Sequence, residues 1–169
     1  MRAKSLTTPE WRRLSATDMA RVQLISERVH PTLPERQDVL AEKRDLFPEG
    51  CLGFAQDEIE GYGLAHPWVF GEIPPLDDFL GALPRDPDCL YIHDVALLPP
   101  VRGFGGASRY IALMEALARA RNIPWLACVA VYGADRLWAA LGFREFANGS
   151  LRPKLRSYGN QARYMARPA

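Results

Sequence analysis

The chain has 169 residues, 48% of them hydrophobic, and its 21 Lys and Arg against 20 Asp and Glu give a formal net charge of +1. That length suits one domain with a proper core, and the balanced charge removes any global field drawing the chain to nucleic acid or an anionic membrane. The start, Met1-Arg2-Ala3-Lys4-Ser5-Leu6, lacks an apolar signal core and no apolar run reaches spanning length, so a single 1–169 domain in the cytoplasm is expected, without membrane or nucleic-acid partners.

Residues 11–14 read as a first strand. Thr17-Asp18 then offers an N-cap to an amphipathic stripe of Ala20, Leu24 and Ile25 that ends near Val29 and is stopped by His30-Pro31. A more charged helix is expected over 35–47, with Val39, Leu40 and Leu46 as its apolar face. Two β-type runs, 51–56 and 59–65, flank Asp57-Glu58 as in a hairpin. After a Pro-rich loop over 73–87, the apolar run 90–98 predicts a central strand that Pro99-Pro100 ends. Ala107, Tyr110, Ile111, Met114, Leu117 and Ala118 recur at helical spacing within 105–121. A buried strand over 125–131 follows, then a short helix carrying Ala134, Leu137, Trp138 and Leu141 that Gly142 caps, and strands opening at Phe143 and near 162–166. The predicted fold is α/β, a mixed and mostly antiparallel sheet flanked by helices in three layers.

Chemistry concentrates where the 90–98 strand passes through Pro99-Pro100-Val101-Arg102-Gly103-Phe104-Gly105-Gly106-Ala107 into a helix. A glycine-rich turn at a helix N-terminus is an anion site, because free backbone N–H groups and the helix dipole converge there and glycines let phosphates approach the main chain. A Walker loop would need a lysine where Gly106-Ala107-Ser108 has none. A Rossmann fingerprint is offered imperfectly by 103–108, but it follows a hairpin and no acidic residue ends the strand at Val131.

The stretch resembles motif A of the GNAT acetyltransferases, whose Arg/Gln-x-x-Gly-x-Gly/Ala pattern is met by Arg102, Gly105 and Ala107 after the strand end Val95-Ala96-Leu97-Leu98-Pro99. The resemblance extends over most of the chain, from an N-terminal helix pair to the Leu141-Gly142-Phe143 that ends the short helix. It implies acetyl-CoA as cosubstrate, with Val95, Ala96 and Leu97 binding the pantetheine and acetyl carbonyl through their backbone. Arg102, Gly103, Phe104, Gly105, Gly106, Ala107 and Ser108 would then hold the pyrophosphate. It also implies an amine acceptor, here a small molecule, and a monomer or homodimer. A protein acceptor and a non-catalytic acyl-CoA-binding module are the alternatives.

His93 and Asp94 interrupt an apolar strand, which is costly unless they have partners or a purpose. His93 is the expected general base toward the amine, and since strand residues alternate between faces, only one of the pair should face the reaction centre. The serotonin N-acetyltransferases are similar in having a histidine at the place of His93. Many family members place a proton-donating tyrosine at the position of Trp138 and an asparagine at that of Val131. Trp138 therefore becomes core or cofactor-pocket wall, and Tyr132 the candidate acid. His66-Pro67-Trp68, with Phe70, is expected after the hairpin as part of an aromatic acceptor pocket, and His30 as a helix cap. Arg152, Lys154 and Arg156 read as a basic loop facing a 3′-phosphate or an acidic substrate. Cys51, Cys89 and Cys128 lie in apolar runs and read as reduced core residues, and three scattered histidines give no metal site.

Overall fold

A computed structural model describes residues 7–169; the segment 1–6, expected to lack an apolar signal core, lies outside the described residues. Among the described residues one sheet holds seven strands: β1 (Glu10–Arg13), β2 (Leu52–Ala55), β3 (Ile59–Trp68), β4 (Cys89–Leu97), β5 (Trp125–Ala130), β6 (Arg144–Glu145) and β7 (Arg163–Pro168). Their order is β1-β2-β3-β4-β5-β7-β6, and of the six pairings between them the β4–β5 pair alone is parallel. The mixed, mostly antiparallel sheet expected from the sequence is thus present.

Helices cover both faces. On one face α3 (Gly106–Ala120) presents Tyr110, Ile111, Met114 and Ala118 to Leu90, Ile92, Leu126 and Cys128, and α4 (Asp135–Ala140) adds Trp138 to that core. The opposite face carries α1 (Met19–Val29) and α2 (Gln37–Leu46), with Met19, Val22, Ile25 and Leu40 packed on Tyr62, Leu64 and Ala96. Farther along that second face, Tyr91 and Ala127 meet Leu151 and Tyr158, which flank a helix α5 (Arg152–Ser157). The basic stretch read as a loop is therefore helical; Pro153 sits in its first turn, where a missing N–H costs nothing. Lys154 donates from Nζ to Ile73 O at 3.0 Å, while Arg152 and Arg156 line a separate surface cleft with Arg163.

Three boundaries differ for physical reasons. A 3₁₀ turn over Ala16–Asp18 precedes α1, and Ser15 rather than Thr17 or Asp18 heads it, its N–H donating to Asp18 Oδ2 at 2.7 Å. Helix α2 starts two residues late because Arg36 is extended, its N–H bound to Asp77 Oδ1 at 2.7 Å, which frees Glu35 to turn inward. Strand β3 runs through His66 to Trp68, because β2 pairs it only as far as Gly63 and Pro67 lies where that edge is free. All three cysteines are buried in the core clusters.

Candidate functional site

Two irregularities of β4 make the site. Its pairing with β5 ends at Ile92 opposite Cys128, although β4 runs on to Leu97 and β5 to Ala130, so the parallel pair parts into a cleft. On its other side, Ala65 pairs with Ile92 but Leu64 with Asp94, leaving His93 as the extra residue of a β-bulge. The bulge resets the alternation: Leu90 and Ile92 pack in the α3 core, whereas Ala96 and Leu98 pack under α1. His93 and Asp94 consequently both reach groups on the α1–α2 side, which corrects the expectation that only one of them would face the site.

The cleft opens into a cavity of about 600 Å³. It is lined by His93, Asp94, Val95 and Leu97 from β4, Arg102, Gly103, Gly105, Gly106, Ala107 and Ser108 from the turn, and Tyr132 and Trp138 from the far wall. Two candidates stand apart. Ala96 turns its side chain into the α1 core, and Phe104 is 45% exposed outside the cavity wall. Gly105 stands immediately before α3 with φ of 68°, a left-handed conformation that lets the chain swing from the turn into the helix. The first N–H groups of an α-helix have no carbonyl one turn earlier to bond, and Gly105 to Ser108, where α3 begins, line the cavity. Arg102 folds back, its Nε donating to Leu97 O at 2.9 Å.

At the other end lie two carboxylate–histidine pairs, one buried and one partly buried. His93 Nε2 is 2.8 Å from Glu35 Oε1 and 3.1 Å from Oε2, with the two side chains only 2% and 7% exposed. Burial opposes the Glu35 charge, but the His93 charge and hydrogen bond, with Lys43 behind, hold its pKa down at about 2. An ionised carboxylate only accepts, so Nε2 donates; His93 Nδ1 is buried without a partner among the described residues. Asp94 is bonded on both oxygens, by His30 Nε2 at 2.8 Å and by the Tyr62 hydroxyl. Burial alone would lower the His30 pKa, yet the Asp94 charge and hydrogen bond, with Glu35, raise it above the ordinary value. His30 is the C-cap of α1 as expected, its backbone N–H donating to Ser26 O at 2.7 Å, and its ring also reaches across the fold to Asp94.

Tyr132, at the end of β5 with φ of 54°, stacks on the His30 ring at 5.8 Å, and its hydroxyl is 3.0 Å from Thr32 Oγ1. Trp138 is both core and wall, packed edge-on against Phe143. His66 and Trp68 do not line the cavity; His66 is fully buried in β3, and burial lowers its pKa to about 3. Phe70 is likewise absent from the lining, and the aromatic side chains that do line the cavity are Tyr132, Trp138 and Tyr158.

No local pattern marks Glu35 as the partner of His93, because a carboxylate at an expected helix start reads as a dipole complement. Lys43 was visible in principle: four residues after Val39, it falls on the buried face of α2, where its Nζ is 3.4 Å from Val39 O.

Residues 14–143 match the acetyltransferase (GNAT) family. The chain belongs to this family. No curated protein matches the sequence. Among solved structures it is similar to Ard1 from Thermoplasma volcanium, with a TM-score of 0.71 at 16% identity over 96% of this chain and 99% of the other. It is similar at 0.76 and 11% identity to the loading GNATL domain of CurA from Lyngbya majuscula, over 95% of this chain and 96% of the other. N-acetylglutamate synthase from Neisseria gonorrhoeae, complexed with coenzyme A and N-acetyl-glutamate, superposes at 0.70 with 17% identity over 97% of this chain and 36% of that longer one. At these identities the likeness is one of fold.

Proposed function

We propose that the protein transfers the acetyl group of acetyl-CoA to the primary amine of a small molecule, by direct attack within a ternary complex in the cytoplasm. The observation that carries this reading is the Glu35–His93 pair in the same cavity as the glycine-led start of α3. The pyrophosphate suits the N–H groups between Arg102 and Ser108, and the pantetheine arm suits the apolar walls that Val95, Leu97, Val129, Leu137 and Trp138 contribute.

In this mechanism the lone pair of the neutral amine attacks the thioester carbon while one of its N–H protons passes to His93 Nδ1, whose ring Glu35 orients through Nε2, and that proton later leaves to solvent. Main-chain N–H groups near Ala96 and Leu97 stabilise the tetrahedral oxyanion, the C–S bond breaks, and Tyr132 protonates the departing thiolate. Asp94 acts through His30, which it fixes beside Tyr132, and is a positioning residue.

A small acceptor is favoured because the acceptor end is walled. Tyr158 Oη donates to Pro74 O at 2.8 Å and Lys154 to Ile73 O, tying α5 and its flank to the Pro-rich loop that supplies Leu76. A second reading, a module that binds acyl-CoA without turnover, is favoured by Trp138 and Val131 on the wall where many family members have tyrosine and asparagine. Initial velocities with acetyl-CoA and an amine varied together separate the possibilities. Intersecting double-reciprocal lines are expected, parallel lines would replace direct transfer with an acetyl-enzyme, and acetyl-CoA binding without amine-dependent thiol release would leave the binding module.

A further inference from the structure

We infer that the acceptor is a primary amine on an uncharged, largely apolar body, and that α-amino acids, which carry a carboxylate beside the amine, are excluded. This rests on the acetyl-transfer reading above and extends it from reaction to substrate class.

The cavity has two chemically different ends. At the cofactor end the N–H groups of the glycine turn and Arg102 provide for anions. At the acceptor end the charged side chains are Glu35 and Asp94, each with a histidine, and among the described residues no lysine or arginine lines that end. Lys43 is fully buried, bonded to Val39 O, and does not line the cavity, so it cannot meet a substrate. The remaining surface near Glu35 comes from Val29, Leu33, Leu76, Tyr132 and Tyr158.

Hydrogen-bond capacity narrows the class further. His93 Nδ1 lacks a partner among the described residues and, with Nε2 donating to Glu35, is an acceptor that meets the N–H of an amine. His30 Nδ1 likewise lacks one; in the charged ring that Asp94 favours, it is one N–H donor. A neutral hydroxyl or carbonyl oxygen satisfies a single donor. A carboxylate there would leave an oxygen unpaired and would find no free counter-charge, because His30 is already engaged with Asp94 and Lys43 lies behind Glu35, and both effects disfavour it. A body such as phenyl or isobutyl meets the leucine and tyrosine walls.

Isosteric pairs test this without altering the protein. Acetyl-CoA turnover is measured as kcat/KM, referred to unprotonated amine, for phenylalanine amide against phenylalanine and for leucine amide against leucine, with 2-phenylethylamine alongside. The amide is expected to exceed the acid by roughly tenfold or more in a pair, with 2-phenylethylamine also a substrate. Equal rates for amide and acid, or preference for the acid, would overturn the inference while leaving acetyl transfer intact. Turnover of none of the five would overturn both.

Discussion

His93 is set in its role by one neighbour. Glu35 fixes which ring nitrogen carries the hydrogen and leaves the other free to accept a proton, so changing the carboxylate should damage chemistry more than binding. For Glu35→Gln we expect kcat/KM for the amine to fall roughly a hundredfold, since an amide can donate to Nε2 and select the wrong tautomer. The acetyl-CoA dissociation constant, measured by calorimetry, should hold, because Glu35 bonds to His93 and to the Asp77 N–H rather than to the glycine turn. A loss of acetyl-CoA affinity equal to the loss of rate would make Glu35 merely structural. Tyr132→Phe separates the acid from the base: kcat should drop about tenfold with acetyl-CoA affinity unchanged, and an unaltered kcat would mean that the thiolate leaves without its help.

Among the elements, the turn before α3 was the most legible in the sequence, because a glycine cluster between a proline-ended strand and an amphipathic helix is costly in chain entropy unless the backbone there must bend sharply or meet a ligand. The left-handed φ of 68° at Gly105 gives that pattern its physical reason. An alanine there adds about 1–2 kcal/mol of backbone strain, which the turn can relieve only by shifting the first N–H groups of α3. Gly105→Ala is therefore expected to weaken acetyl-CoA binding about tenfold or more, and unchanged affinity would remove the turn from the cofactor site. The bulge at His93 was illegible, since nothing in an apolar strand announces where its partner skips a residue; the period-two rule then misplaced one of His93 and Asp94. The start of α2 was hidden for a related reason. Arg36 is pulled extended by Asp77, which lies 41 residues away, and no local pattern records such a contact. The helical nature of 152–157 was obscured because its basic residues show no apolar stripe.

For the whole molecule, the centre of the sheet rests on the β2–β3 hairpin and the β4–α3–β5 crossover, both marked by local sequence patterns, which is why the fold was readable while the pairs between distant segments were not. Those pairs make stability depend on pH in opposite senses. Glu35, lowered from 4.5 to about 2, stabilises the fold in full above its unfolded value, and that contribution is lost as pH falls toward about 2. His30, raised from 6.5, contributes in full below that value, and its contribution disappears as pH rises through the folded-state pKa. Both act in full between about pH 4.5 and 6.5. Thermal melts should accordingly show Glu35→Gln losing less stability than the parent between about pH 5 and 3, and His30→Gln losing less above pH 6.5; identical pH slopes in parent and variants would contradict these pairings.

The central claim is that an amine bound beside His93 takes the acetyl group from acetyl-CoA seated on the α3 turn. Amine-dependent thiol release from acetyl-CoA, followed in the parent and in His93→Gln with matched acetyl-CoA binding, tests it most directly. Turnover in the parent and a loss of about a hundredfold or more in the variant, with the cofactor still bound, are predicted; equal turnover in the two proteins would contradict the claim.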